Sequence, residues 1–168
     1  MRKIVFILFL LLSLLTACVQ KEIKAYDDTD IDEFNKVLDN VGNGKTKAYD
    51  LREYDECYNG RIPGFYCSRV YQSENKKEDL DKIIDNLKLL LGDKKRTMII
   101  LMDNNDGNAA VVAQELFISG YKNIHYFKNG YDRYVELQPD FVPEAGDCDC
   151  WNKKLNCLDF YTKLMYNT

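Results

Sequence analysis

The sequence predicts an α/β fold in a single domain, with a mainly parallel central sheet flanked by helices. Three observations carry this expectation. Short apolar runs of strand length alternate with stretches of helical periodicity. Thr97–Met102 is apolar on nearly every residue, as a central parallel strand must be when both its faces are covered. The first two helical stretches stop at glycines, Gly42 and Gly92.

The elements follow in order. Asp30-Ile31-Asp32-Glu33 has the form of a capping box. Ile31, Phe34, Val37, Leu38 and Val41 then recur at helical spacing up to Gly42. Thr46–Leu51 is a short strand candidate. Asn75 and Glu78 cap a second helix, whose one face carries Leu80, Ile83, Ile84, Leu87, Leu90 and Leu91. After the Thr97–Met102 run, Ala109–Ile118 is apolar nearly all round and predicts a buried helix. Asn123–Phe127 is the last strand candidate. Parallel sheets place their sites at the carboxyl ends of strands. The loop Asp103, Asn104, Asn105, Asp106, Gly107, Asn108 therefore lies at the site edge.

Three short motifs, in order along the chain, give the domain a family likeness. Asp50-Leu51-Arg52, Glu56 and Gly60-Arg61-Ile62-Pro63-Gly64 resemble a rhodanese pattern of Asp-Val-Arg, then Glu, then Gly-His-Ile-Pro-Gly. Gly120–Ile124 looks like that family's turn into its last strand. Phe127, Gly130 and Tyr134 fall where the family has Leu-x-Gly-Gly-x-x-x-Trp, with Asn129 at the first glycine. The resemblance spans residues 30–136, which are expected to form the domain. It implies that the loop from Asp103 to Asn108 is the active-site loop, at the usual family length. A sulfurtransferase of this kind starts that loop with a nucleophilic cysteine, often with arginine at the sixth position. Here Asp103 and Asn108 stand there instead.

The chemistry implied by the resemblance needs a thiolate. It attacks a sulfane sulfur and is stabilised by backbone amides curled at a helix N-terminus. A carboxylate is a poor nucleophile toward sulfur. Asp103 is expected to fill the amide cradle itself, cap the helix and hold a depressed pKa. The loop does not match a calcium-binding loop. With Gly107 at the sixth position, Met102 takes the first and Ala113 the twelfth, where acids are required. Phosphoryl transfer to an aspartate would need magnesium carboxylates and a lysine, and no lysine is placed for it. No metal and no cofactor is expected.

The ends of the chain carry their own signals. Arg2 and Lys3 precede an apolar run, Ile4–Leu15, that ends in Leu15-Thr16-Ala17-Cys18. This resembles the signal segment of bacterial lipoproteins, and implies cleavage after residue 17 and acyl chains on Cys18. The domain is then expected outside the cytoplasm, tethered to a membrane of the bacterial cell envelope through residues 18–29. Without Arg2 and Lys3, the 23 basic residues fall to 21 against 27 acidic ones, a net charge of −6. That argues against a nucleic-acid partner and gives no help in binding anionic lipid.

Beyond the domain, residues 137–168 form an extension carrying Cys148, Cys150 and Cys157, with Trp151 expected to pin it to the core. With Cys57 and Cys67, five cysteines remain after Cys18, so at least one is left unpaired or bridges two chains. A disulfide is the default outside the cytoplasm, and is expected in the extension. A three-cysteine zinc or copper site is the weaker alternative there. Cys57 is expected as a buried thiol. Cys67 follows the Ile-Pro-Gly turn and is the candidate relocated thiol, facing the loop. A crowd of aromatics around Asp50 (Tyr49, Tyr54, Tyr58, Phe65, Tyr66 and Tyr71) suits either core packing or a partner face.

Two classes of function remain open. One is a non-catalytic, membrane-anchored domain that binds an unidentified protein or small ligand. The other is a sulfurtransferase or thiol-redox enzyme that has moved its nucleophile to Cys67 or to the Cys148/Cys150 pair.

Overall fold

A computed structural model describes residues 22–68 and 76–146. The signal segment, Cys18 and the tail residues Cys148, Cys150, Trp151 and Cys157 lie outside the described residues, as do Asn75 and Tyr71. Five strands form one sheet: β1 (Glu22–Tyr26), β2 (Thr46–Asp50), β3 (Tyr66–Cys67), β4 (Met98–Met102) and β5 (Asn123–Phe127). Their spatial order is β1-β5-β4-β2-β3, and every pairing is parallel. The expected α/β class with a mainly parallel sheet is what the chain forms.

Among the described residues, four α-helices connect the strands and a fifth follows β5: α1 (Ile31–Leu38), α2 (Tyr54–Asn59), α3 (Lys76–Leu91), α4 (Asn108–Ile118) and α5 (Gly130–Glu136). Alternate residues of β4 feed opposite layers, as strand geometry requires. Ile99 and Leu101 pack with Ile83, Leu87, Val112 and Leu116 of α3 and α4. Ile100 and Met102 pack with Phe34 of α1 and with Tyr131 and Tyr134 of α5. The four buried residues of β4 explain its unbroken apolar run.

Three expectations are corrected. Residues 22–26 are not tether: they form edge strand β1, paired to β5 from Glu22↔Asn123 to Tyr26↔Phe127. The segment looked polar because an edge strand buries only part of itself, and Tyr26 alone of the five is buried. The capping box sits one turn earlier than expected. Asp27 and Asp30 make it, on a 3-10 turn at Asp28–Asp30, while Asp30 itself makes no side-chain cap to α1. Residue 137 is also no break in packing. Phe141 stacks edge-on against Tyr131 and Tyr134, and Glu144 pairs with Arg61.

Candidate functional site

The carboxyl ends of β2 and β4 are neighbours, since Asp50 is in register with Met102. The chain leaving β4 curls at once. Asn105 takes a positive φ of 64° and Gly107 one of 84°, and α4 begins at Asn108. Asp103 points into the curl. Its Oδ1 accepts the Asn105 N–H at 3.0 Å, and its Oδ2 accepts the Ala109 N–H, in the first turn of α4, at 2.8 Å. The side chain is 2 % exposed. As expected, then, the carboxylate occupies the backbone cradle and caps the helix.

Its protonation runs against expectation. Burial pushes the Asp103 pKa up, the two backbone N–H groups pull it down, and nearby Asp106 pushes it up again. The balance lies above the ordinary value, not below it. The sequence-based argument weighed the amides and the helix end but could not see how deeply the carboxyl is covered.

The rest of the loop is braced from two sides. Asp106 Oδ1 accepts the Asn108 N–H at 3.1 Å, and its Oδ2 accepts the Asn108 side-chain amide at 2.6 Å. Asn104 donates to both carboxylate oxygens of Glu56 at 2.9 and 3.0 Å, which ties the loop to α2. The Tyr131 N–H donates to the Asp103 carbonyl at 2.8 Å, at the start of α5. Gly130 makes that approach feasible: its φ is +75°, and a Cβ there would lie 2.4 Å from the Asn105 nitrogen. The motif position of Gly130 thus has a steric reason, whereas nothing in the sequence singled out Tyr131.

Asp50 and Arg52 form a buried ion pair. Arg52 Nε donates to Oδ1 at 3.0 Å and to Oδ2 at 3.2 Å, and Nη2 donates to Oδ2 at 2.7 Å. The Arg52 N–H adds a bond to Oδ1 at 3.0 Å. The guanidinium also donates to the Gly60 carbonyl and lies 3.6 Å from the centre of the Tyr131 ring. Burial raises the Asp50 pKa while Arg52 opposes it. Arg61, fully buried, donates to Glu144 and to the Gly146 carbonyl. Glu144 also accepts the Gly64 N–H at 2.7 Å, so one carboxylate clamps the Arg61–Gly64 turn that contains Pro63. The motif residues Asp50, Arg52, Gly60, Arg61 and Gly64 therefore hold the frame of the site: the first three bond to one another, and Arg61 and Gly64 bond to Glu144.

Cys67 does not face the loop. It is disulfide-bonded to Cys57, joining β3 to α2 with Cα atoms 5.7 Å apart. Strand β2 stands between β3 and β4, which keeps Cys67 a full strand away from the Asp103 loop. The expected buried thiol at Cys57 and relocated thiol at Cys67 are both corrected by this bond. Spacing alone could not pair two cysteines ten residues apart across a turn. Among the described residues, no group of three or more His, Cys, Asp or Glu side chains could hold a metal ion, and no helix is long and apolar enough to cross a membrane.

Among curated proteins, none matches the chain. Solved structures share the fold at low identity. The Alr3790 protein of Anabaena sp. superposes with a TM-score of 0.52 at 15 % identity, covering 71 % of this chain and 81 % of that one. A solution structure of the rhodanese-like domain of the same Anabaena protein gives 0.50 at 14 % identity, covering 76 % and 82 %. The reduced CoADR-RHD protein of Bacillus anthracis gives 0.52 at 20 % identity, with 73 % of this chain matching 18 % of that one. Residues 33–137 match the rhodanese-like domain, and over that span the chain belongs to the rhodanese-like domain family.

Proposed function

We propose that this chain is a lipid-anchored member of the family that does not transfer sulfur and acts as a binding or accessory domain at the bacterial cell envelope. The observation that carries this reading is Asp103. It stands where the loop leaves β4, it is 2 % exposed, and two backbone N–H groups are already spent on it. A persulfide cannot form on a carboxylate, and none of residues 103–108 carries a thiol. The exposed rim around the loop is acidic, with Glu56 and Asp106 next to it, which disfavours a dianionic sulfur donor. The Cys57–Cys67 disulfide supports a compartment outside the cytoplasm, where such bonds persist. The lipoprotein-like segment ending at Cys18 supports the anchor.

The test is sulfur transfer from thiosulfate to cyanide by the purified protein. No turnover above the uncatalysed rate is expected, with or without reductant. Asp103→Cys alone should restore little, and Asp103→Cys with Asn108→Arg should restore more, because the second change supplies a positive charge. Wild-type turnover that survives Asp103→Ala and vanishes with Cys67→Ser would overturn the reading in favour of a thiol enzyme.

A further inference from the structure

We propose that the amino-end edge of the sheet is a docking surface for an anionic phospholipid bilayer, and that docking there turns the Asp103 loop away from the membrane. The inference rests on the reading of Cys18 as the lipid anchor. Its starting point is the register of the strands. Glu22, Asn123, Met98 and Thr46 form one row across β1, β5, β4 and β2. Because every strand is parallel, that row is the common amino end of the sheet. Cys18 lies four residues before Glu22, so an acyl group on it is attached within about 14 Å of this edge.

The chain returns to this edge through basic residues each time. Lys45 precedes β2, Lys94, Lys95 and Arg96 precede β4, and Lys122 precedes β5. Backbone bonds hold them together: Lys45 O accepts the Met98 N–H, Lys95 O accepts the Lys122 N–H, and Lys122 O accepts the Glu22 N–H. Lys45, Lys94 and Arg96 are exposed. Among the described residues, none of the five is in an ion pair. Among the described residues, Glu22, Asp39 and Asp93 are acids at this end, with Glu115 one turn in from the end of α4, still fewer than the five bases they oppose. Helices α3 and α4 finish here too, since each leads back to the start of a strand. They present Leu89, Leu90 and Ile118 to solvent, at 54, 46 and 68 % exposure. Apolar side chains set among lysines suit the headgroup layer of a bilayer.

The opposite edge carries the other sign. Asp27, Asp28, Glu53, Asp55, Glu56 and Asp106 stand at the carboxyl ends of the strands. Among the described residues, the exposed bases there, Lys77, Lys128 and Arg133, are held in ion pairs with Asp81, Asp27 and Asp28. The net charge of −6 that offered no help toward anionic lipid is therefore an average over two unlike faces. The sheet between them is about 13 Å tall. An anionic surface attracts one edge and repels the other, which gives an acyl-anchored domain a preferred orientation.

The full-length lipidated protein is bound to vesicles of phosphatidylcholine alone or of phosphatidylcholine with phosphatidylglycerol. Acyl mass on Cys18 and flotation with the neutral vesicles report the anchor. Acetylation of lysines, read by peptide mass spectrometry, reports the face. Lys45, Lys94, Lys95 and Lys122 are expected to react at least about threefold more slowly on the anionic vesicles, while Lys77 and Lys128 at the other edge keep their rates. The protection should vanish near 1 M salt, where screening acts within about 3 Å. The variant Lys45→Glu/Lys94→Glu/Arg96→Glu, all exposed positions, should still float with neutral vesicles but lose protection of Lys122. Acyl mass without protection, or protection of Lys77 and Lys128 instead, overturns the docking surface and leaves the anchor standing. Protection on anionic vesicles without acyl mass overturns the anchor and leaves the surface standing.

Discussion

Asp50 and Asp103 sit at the carboxyl ends of neighbouring strands, both almost fully buried, and they are held by different means. Asp50 is 0 % exposed and meets a guanidinium that makes three side-chain bonds to it. Asp103 is 2 % exposed and meets only backbone N–H groups, with a second carboxylate, Asp106, nearby. Burial raises the pKa of both. At Asp50 a full positive charge answers that cost, and a disulfide next to it staples the surrounding frame through Cys67, its partner in β3. At Asp103 only partial charges answer it. The comparison separates a carboxyl braced by a buried cation from one held by backbone dipoles alone.

The largest expected effect breaks the Asp50 side. Arg52→Ala leaves a buried carboxylate without its cation and should cost about 3–5 kcal/mol, read from the denaturant midpoint. A loss under about 1 kcal/mol would mean that water reaches Asp50 in solution and that the two carboxylates are not so different after all.

Next comes the disulfide. Replacing Cys57 and Cys67 together by alanine should lower stability by about 2–3 kcal/mol, since the bond closes a short loop. Reductant should lower the melting temperature of the wild type more than that of the double variant, which, apart from Cys18, keeps only the cysteines of the extension. A wild type indifferent to reductant would remove the staple from the Asp50 side of the comparison.

The smallest effect sharpens the Asp103 side. Asp103→Ala loses a helix cap and should cost about 0.5–2 kcal/mol. The cost should depend on pH in a defined direction. A carboxyl whose folded pKa is raised binds its proton more tightly when folded, so its contribution is complete below the unfolded value near 4 and declines as pH rises through the folded value. The stability difference between wild type and Asp103→Ala should therefore be larger at pH 3 than at pH 7. A difference that grows with pH instead would restore the depressed pKa expected from the amide cradle alone.

Much of the fold is legible in the chain because its signals are local. The apolar run of β4 reads as a strand buried on both faces, and Asn123–Phe127 forms β5 with those same bounds. The loop length and the absence of a thiol from Asp103 to Asn108 need no coordinates either. Edge strand β1 was missed because its hydrogen bonds come from β5, about a hundred residues away, and its own composition is half polar. The short helices α2 and α5 carry too few turns to show a period.

By itself the sequence determined the layered α/β plan, the family motifs, the self-supplied anion of the loop and the overall acidity. These depend on residue type and on spacing within one element, which a linear reading preserves. Only the tertiary structure decided that Cys67 pairs with Cys57, that Glu144 clamps the Arg61 turn, and that burial moves the Asp103 pKa up and not down. The same holds for the segregation of basic and acidic residues to opposite edges of the sheet. Each of these is a choice among partners distant in the chain, made by which strand lies beside which, and no local pattern encodes that neighbour.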